Sequence, residues 1–227
     1  MKNKLLITTV THGDEGFSIP IVEKLAKQFT FTWCKNNLRA FKLNQRFFEK
    51  DLNRSGPGNP KAKIYEERLA YKLIRSYSKY KIVIDIHGSV ANCGVFALLS
   101  EPSTQNIELA KKLDVNYVVL WPSMRAMEAP LTQFIPNSLE IECGPKDAPQ
   151  TSSKLERVLR KFLSGKAPTK RQSFYIVTGL LKGPIAKPMK DFTQTEFRGQ
   201  SFIPLLVDQY PGIKCYTMQK ISYTLAT

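Results

Sequence analysis

Two apolar runs in this chain each lead into a histidine, and the chain holds no other histidine. Leu5-Leu6-Ile7-Thr8-Thr9-Val10 runs into Thr11-His12-Gly13-Asp14-Glu15-Gly16, and Ile82-Val83-Ile84 runs into Asp85-Ile86-His87-Gly88-Ser89. Short apolar runs bounded by glycine and acidic residues read as buried strands. Residues at the carboxyl ends of strands are where open α/β sheets place their sites. His12 and Glu15 stand three residues apart on a turn flanked by Gly13 and Gly16. Two histidines and a glutamate are the donor set of a catalytic zinc, with the fourth position left to water.

The 227 residues suffice for one large α/β domain, or a medium domain with a small appendage. No stretch approaches the roughly 18 uninterrupted apolar residues of a membrane helix. The first ten residues resemble a signal peptide, but their apolar run stops at His12, and cleavage there would destroy the site. The segment therefore reads as a first strand, and the protein as cytoplasmic. Cys34, Cys93, Cys143 and Cys215 are scattered without a C-x-x-C pair, the pattern of reduced thiols in a cytosolic compartment. Net charge is +15, and Thr151 to Lys190 carries ten Lys/Arg against Glu156 alone. Such a field draws anionic substrates and also nucleic acid.

Along the chain, Ser18 is expected to cap a helix carrying Ile19, Val22, Leu25 and Ala26 at helical spacing. Phe29–Trp33 alternates like a strand, Asn36 to Pro60 is loop-rich, and Lys63 to Tyr80 reads as a long helix. Lys81–Ile86, Val95–Leu99, Tyr117–Leu120 and Leu139–Cys143 read as strands, and Thr104–Leu113 and Ser152–Leu163 as helices. This alternation predicts a mostly parallel or mixed sheet flanked by helices over residues 1–168. After Gly165 helical periodicity ends. Ser173–Thr178, Ile203–Val207 and Ile213–Met218 read as strands, giving a small β-rich C-terminal domain over residues 169–227.

A zinc hydrolase also needs a carboxylate to move the water's proton. Ser138-Leu139-Glu140-Ile141-Glu142-Cys143-Gly144-Pro145 offers Glu140 and Glu142, which share one face of a strand opposite Leu139, Ile141 and Cys143. Spacing does not choose between them. Asp51-Leu52-Asn53-Arg54, with Arg46 upstream, offers an arginine fork and an amide for an anion, or a plain turn capped by Asp51.

His12-Gly13-Asp14-Glu15, Asp51-Leu52-Asn53-Arg54, Asp85-Ile86-His87 and Glu142-Cys143-Gly144-Pro145 stand in the order of the succinylglutamate desuccinylase/aspartoacylase family, which the chain resembles from about Leu5 to Pro145. The resemblance implies a zinc carboxypeptidase-like α/β domain followed by a small β-rich domain. It implies one zinc ion held by His12, Glu15 and His87, with Glu142 as general base and acid. By the same resemblance Arg46 polarises the scissile carbonyl, and Asn53 and Arg54 grip the substrate's α-carboxylate. The implied activity is hydrolysis of a small anionic N-acyl amino acid.

Two features depart from the family pattern. Aspartoacylases carry an arginine shortly before the catalytic glutamate, whereas Ala129 to Leu139 has none and Arg125 lies further upstream. The C-terminal part is also short and only faintly similar, so that a family tyrosine near the chain end has Tyr216 and Tyr223 as alternative candidates and is assigned to neither. Both departures bear on which substrate is taken. A carboxypeptidase trimming peptide C-termini would use the same ligands and clamp. A basic nucleic-acid-binding protein is the reading of a different class, and no helix-turn-helix, zinc-finger or RNA-binding signature accompanies the basic stretch. Neither specific nucleic-acid binding nor a membrane is expected, and a homo-oligomer is compatible with the sequence.

Overall fold

The computed structural model describes residues 4–122 and 129–222. Arg125 and Tyr223 lie outside the described residues. Among the described residues ten strands form one sheet: β1 (Leu5–Thr9), β2 (Thr32–Lys35), β3 (Ile82–Gly88), β4 (Gly94–Leu99), β5 (Tyr117–Leu120), β6 (Ser138–Gly144), β7 (Ser173–Lys182), β8 (Thr195–Phe197), β9 (Gln200–Leu205) and β10 (Ile213–Ile221). Helices are α1 (Ile19–Ala26), α2 (Leu38–Lys42), α3 (Tyr65–Tyr77), α4 (Thr104–Lys111) and α5 (Pro149–Leu163). The spatial strand order is β2-β1-β3-β6-β4-β5-β7-β10-β9-β8.

The sheet is mixed. β2, β1, β3 and β6 run parallel, β4 runs antiparallel to β6, and β5 and β7 follow β4 in parallel. β10, β9 and β8 then meander antiparallel. The C-terminal strands thus extend the α/β sheet through the β5–β7 pairing. No helix among the described residues is long and apolar enough to cross a membrane.

Strand alternation sorts the side chains onto two faces. On one, Ile7, Ile84, Ile86, Leu139, Ile141 and Cys143 pack with Val22 and Leu25 of α1, Ile107 of α4 and Leu155 and Leu159 of α5. On the other, Leu6 and Val83 pack beneath Ala70 and Tyr77 of α3. Further along the same face, Phe96, Leu98, Val119, Tyr175 and Met218 join Ile203 and Leu205 of β9 in a separate apolar cluster. The polar residues Asp85, His87, Glu140 and Glu142 alternate with the first set and so emerge between the two clusters of the second face.

Three local expectations need correction. The second strand is Thr32–Lys35 rather than Phe29–Trp33, because pairing with β1 aligns Leu6 with Thr32 and leaves Phe29 and Phe31 as half-buried packing against the core. Ser18 does not cap α1 through its side chain: the helix follows a single helical turn at Gly16–Ser18, and the Ser18 hydroxyl is buried without a partner. The loop from Asn36 contains α2, whose cap is Asn37, accepting from the Ala40 N–H at 3.2 Å.

Candidate functional site

β1 ends in a strained turn. Val10 holds φ at 61°, a left-handed value that β-branched residues rarely adopt. The turn that follows presses against α2: a Cβ on Gly13 would lie 2.2 Å from the Ala40 carbonyl carbon and 2.4 Å from the Gln45 oxygen, so only glycine fits. His12 and Glu15 are thereby held on one side of the turn, both buried.

The three candidate ligands meet. His12 Nδ1 is 2.8 Å from Glu15 Oε1, and His87 Nδ1 is 3.5 Å from Glu15 Oε2. One ligand atom from each residue falls within 4.8 Å of the others. The outer ring nitrogens are also held by carboxylates. His12 Nε2 is 2.9 Å from Asp51 Oδ1, and His87 Nε2 is 3.0 Å from Asp85 Oδ2. Asp85 is itself fixed by the hydroxyls of Thr8 and Thr11, each donating at 2.7 Å. A carboxylate behind each imidazole, with Nδ1 turned inward, is the outer shell of a metal-binding histidine pair. Two imidazoles and one carboxylate converging in a buried setting fit a divalent ion with an open coordination position.

Within the cluster the imidazoles and carboxylates shift one another's titration. Burial alone would lower His12, but Glu15 and Asp51 outweigh it and raise His12 to about 9. Burial likewise opposes charge on His87, yet Asp85 and Glu15 hold it well above its usual range. Burial works against the charged forms of Glu15, Asp51 and Asp85 too, but their imidazole partners keep all three below the ordinary carboxylate range. Glu142 has no such partner. Desolvation, opposed by His87 and reinforced by Glu15 and Glu140, lifts it to about 8.

Every described residue singled out in the sequence for this chemistry lines one cavity of about 700 Å³: His12, Glu15, Arg46, Asn53, Arg54, His87, Glu140 and Glu142. β6 presents both glutamates on the cavity side, as period-two alternation predicts, but their surroundings differ. Glu140 is buried, accepts from Thr132 Oγ1 at 2.7 Å and lies 3.5 Å from Asn53 Nδ2. Glu142 is half-buried. Arg46 donates to Asp51 Oδ2 through Nε at 3.2 Å and Nη2 at 3.0 Å. Arg54 donates to the Asn53 carbonyl at 2.7 Å. Asp51 does cap its turn, accepting from the Asn53 N–H at 2.8 Å, while also holding His12 and Arg46.

The C-terminal strands close the cavity's far side. Tyr216 lines it, together with Tyr210, which sequence reasoning missed. The Arg46 guanidinium stands 5.6 Å over the Tyr210 ring, and burial raises the Tyr210 hydroxyl to about 12. Tyr210 is placed by its neighbour Gln209, whose Oε1 accepts from the N–H groups of Val90 and Ala91 just beyond β3. The only local signal was an aromatic residue before Pro211-Gly212, which reads as an ordinary turn.

Residues 1–164 match the family model for the succinylglutamate desuccinylase/aspartoacylase catalytic domain. Among solved structures, murine aminoacylase 3 is similar with a TM-score of 0.76 at 16% identity, covering 97% of this chain and 96% of that one. The succinylglutamate desuccinylase from Chromobacterium violaceum gives 0.70 at 14% identity, covering 98% and 86%. The product-bound ectoine utilization protein EutE from Ruegeria pomeroyi gives 0.69 at 17% identity, covering 97% and 85%. At these identities the likeness is one of fold. No curated protein matches the chain in sequence. The match over residues 1–164 makes the chain a member of the succinylglutamate desuccinylase/aspartoacylase family of deacylases.

Proposed function

We propose that the protein is a zinc-dependent hydrolase that cleaves the amide bond of a small N-acyl amino acid. The observation that carries this reading is the convergence of His12, Glu15 and His87, each imidazole backed by its own carboxylate, on a cavity that Glu142 also faces. Zinc, when bound, supplies a Lewis acid that lowers the pKa of water and polarises a carbonyl.

The remaining roles belong to the chain's own side chains. Glu142 takes the proton of the attacking water as the carbon–oxygen bond forms. It returns that proton to the amine nitrogen as the carbon–nitrogen bond breaks, releasing a carboxylic acid and a free amino acid. Its raised pKa suits this exchange, and a cation beside it draws the value toward neutrality. Arg46, fixed by Asp51, is assigned to polarise the scissile carbonyl, and Asn53 and Arg54 to hold the α-carboxylate. Glu140, committed to Thr132 and Asn53, is assigned to position the clamp.

We assign catalysis to residues 1–168 and read residues 169–227 as a β-rich part that walls the cavity. The family match to residue 164 and the lining positions Val177, Leu206, Tyr210 and Tyr216 support that division. A cytoplasmic setting is supported by four cysteines that are all free thiols. The test is amino-acid release from a panel of N-acyl amino acids and dipeptides by the zinc-loaded protein. Turnover of the acyl amino acids is expected. Turnover of dipeptides alone would overturn the reading in favour of a carboxypeptidase.

A further inference from the structure

The cavity has a polar half and an apolar half, and the sheet register shows where they meet. Glu140 on β6 is paired with Leu98 on β4, Leu98 with Val119 on β5, and Val119 with Tyr175 on β7. Cross-strand partners share a face, so this face passes from a carboxylate to uncharged, mainly apolar side chains in one step. Val177, two residues beyond Tyr175, continues the row and lines the cavity. Trp121, Leu180, Leu206 and Tyr216 line the same half, where the polar groups added at the end of β4 and on β7 are the neutral hydroxyls of Ser100 and Thr178, and the Trp121 and Tyr216 rings stand edge to face at 4.3 Å. At the usual strand spacing, β7 lies roughly 14 Å from β6. A cavity of about 700 Å³ is far more than one amide and one carboxylate fill.

Among the described lining residues, charge is confined to the other half. Among the described lining residues the cations are Arg46 and Arg54. Arg46 is engaged by Asp51, which leaves Arg54 as the principal anion partner. A second carboxylate reaching across to Trp121 and Val177 would lose its hydration and meet no cation among the described lining residues there. An apolar group in the same place releases water from apolar surface on both sides.

Building on the acyl-amino-acid reading above, we infer that the substrate carries a single carboxylate and a large apolar group, aromatic or long-chain, seated against Leu98, Trp121, Val177 and Leu206. That group arrives either as the amino acid's side chain or as the acyl chain.

The test compares kcat/KM of the zinc-loaded enzyme on N-acetylphenylalanine and N-acetyltryptophan, on N-octanoylglycine, and on N-acetylaspartate and N-succinylglutamate. One apolar arm is expected to exceed both dicarboxylates by about tenfold or more, and the leading arm identifies the source of the apolar group. Preference for either dicarboxylate would overturn the inference and leave the deacylase reading standing. Calorimetric binding of phenylbutyrate and of glutarate provides a readout independent of turnover. Tighter binding of phenylbutyrate, by about tenfold, is expected. Equal or reversed affinities would overturn the inference. If phenylbutyrate binds tightly and no acyl amino acid is hydrolysed, the deacylase reading fails and the apolar subsite stands.

Leu180 is 44% exposed, so Leu180→Arg places a cation at the cavity's rim at little risk to the fold. In that variant the preference for the apolar arm should fall by about tenfold with an unchanged melting temperature. A preference left intact would contradict the placement.

Discussion

His12 Nε2 lies 2.9 Å from Asp51 Oδ1, although 39 residues separate them in the chain. The same carboxylate accepts from the Asn53 backbone N–H and from the Arg46 guanidinium. Asp51 therefore joins the candidate metal ligands to the candidate substrate clamp, so that positioning one positions the other.

Asp51→Asn retains an oxygen to accept from the Asn53 N–H but removes the charge behind His12. Zinc affinity should fall by about 10- to 100-fold, as is typical when the outer partner of a metal-bound imidazole is lost. Competition with a chromophoric chelator measures this. Unchanged affinity would reduce Asp51 to a turn cap.

On the proposed reading, Arg54→Ala removes a ground-state partner of the substrate carboxylate. It should raise KM about tenfold or more while zinc content stays at the wild-type level. Steady-state kinetics with metal analysis separates this from a folding defect, and an unchanged KM would remove Arg54 from the clamp.

The two strand glutamates should separate cleanly. Glu142→Gln keeps size but accepts no proton, so kcat should fall by about a hundredfold or more with zinc still bound. Glu140→Gln should act mainly through KM, because Glu140 is tied to Asn53 and Thr132. The opposite outcome would exchange the two roles.

A pH signature arises away from the site. Asp191 is buried, and desolvation raises its carboxyl from an ordinary 3.8 to about 6 despite an N–H bond from Val207. Between these values the folded chain binds more protons than the unfolded chain, so this group's contribution to stability is lost as pH rises through 6. Asp191→Asn removes the ionisation. Its melting temperature relative to wild type should rise by a few degrees between pH 4.5 and pH 7.5. A flat difference across that range would contradict the raised pKa.

Much of the site is legible in sequence because strands carry it. His87, Glu140 and Glu142 alternate with Ile84, Ile86, Leu139 and Ile141, and period-two alternation alone puts the polar set on one face. His12 and Glu15 are legible because Gly13 between them marks a turn that no other residue fits, as its contact with the Ala40 backbone shows. The antiparallel run of β4 against β6 leaves no local trace, since direction in a sheet depends on long-range connections. The apolar wall is hidden for the same reason. Trp121, Val177 and Tyr216 stand far apart in the chain and become neighbours only through the order β5-β7-β10. Ser18 shows the opposite error: a good capping residue type is overridden when a preceding helical turn takes its backbone into helical angles.

The most direct test of the central claim is amino-acid release from one working N-acyl substrate as zinc is titrated into chelator-stripped protein. Activity should be absent at the start, rise linearly, and saturate at one zinc per chain, with His87→Ala remaining inactive throughout. Full activity in the stripped protein, or activity indifferent to added zinc, would contradict the account.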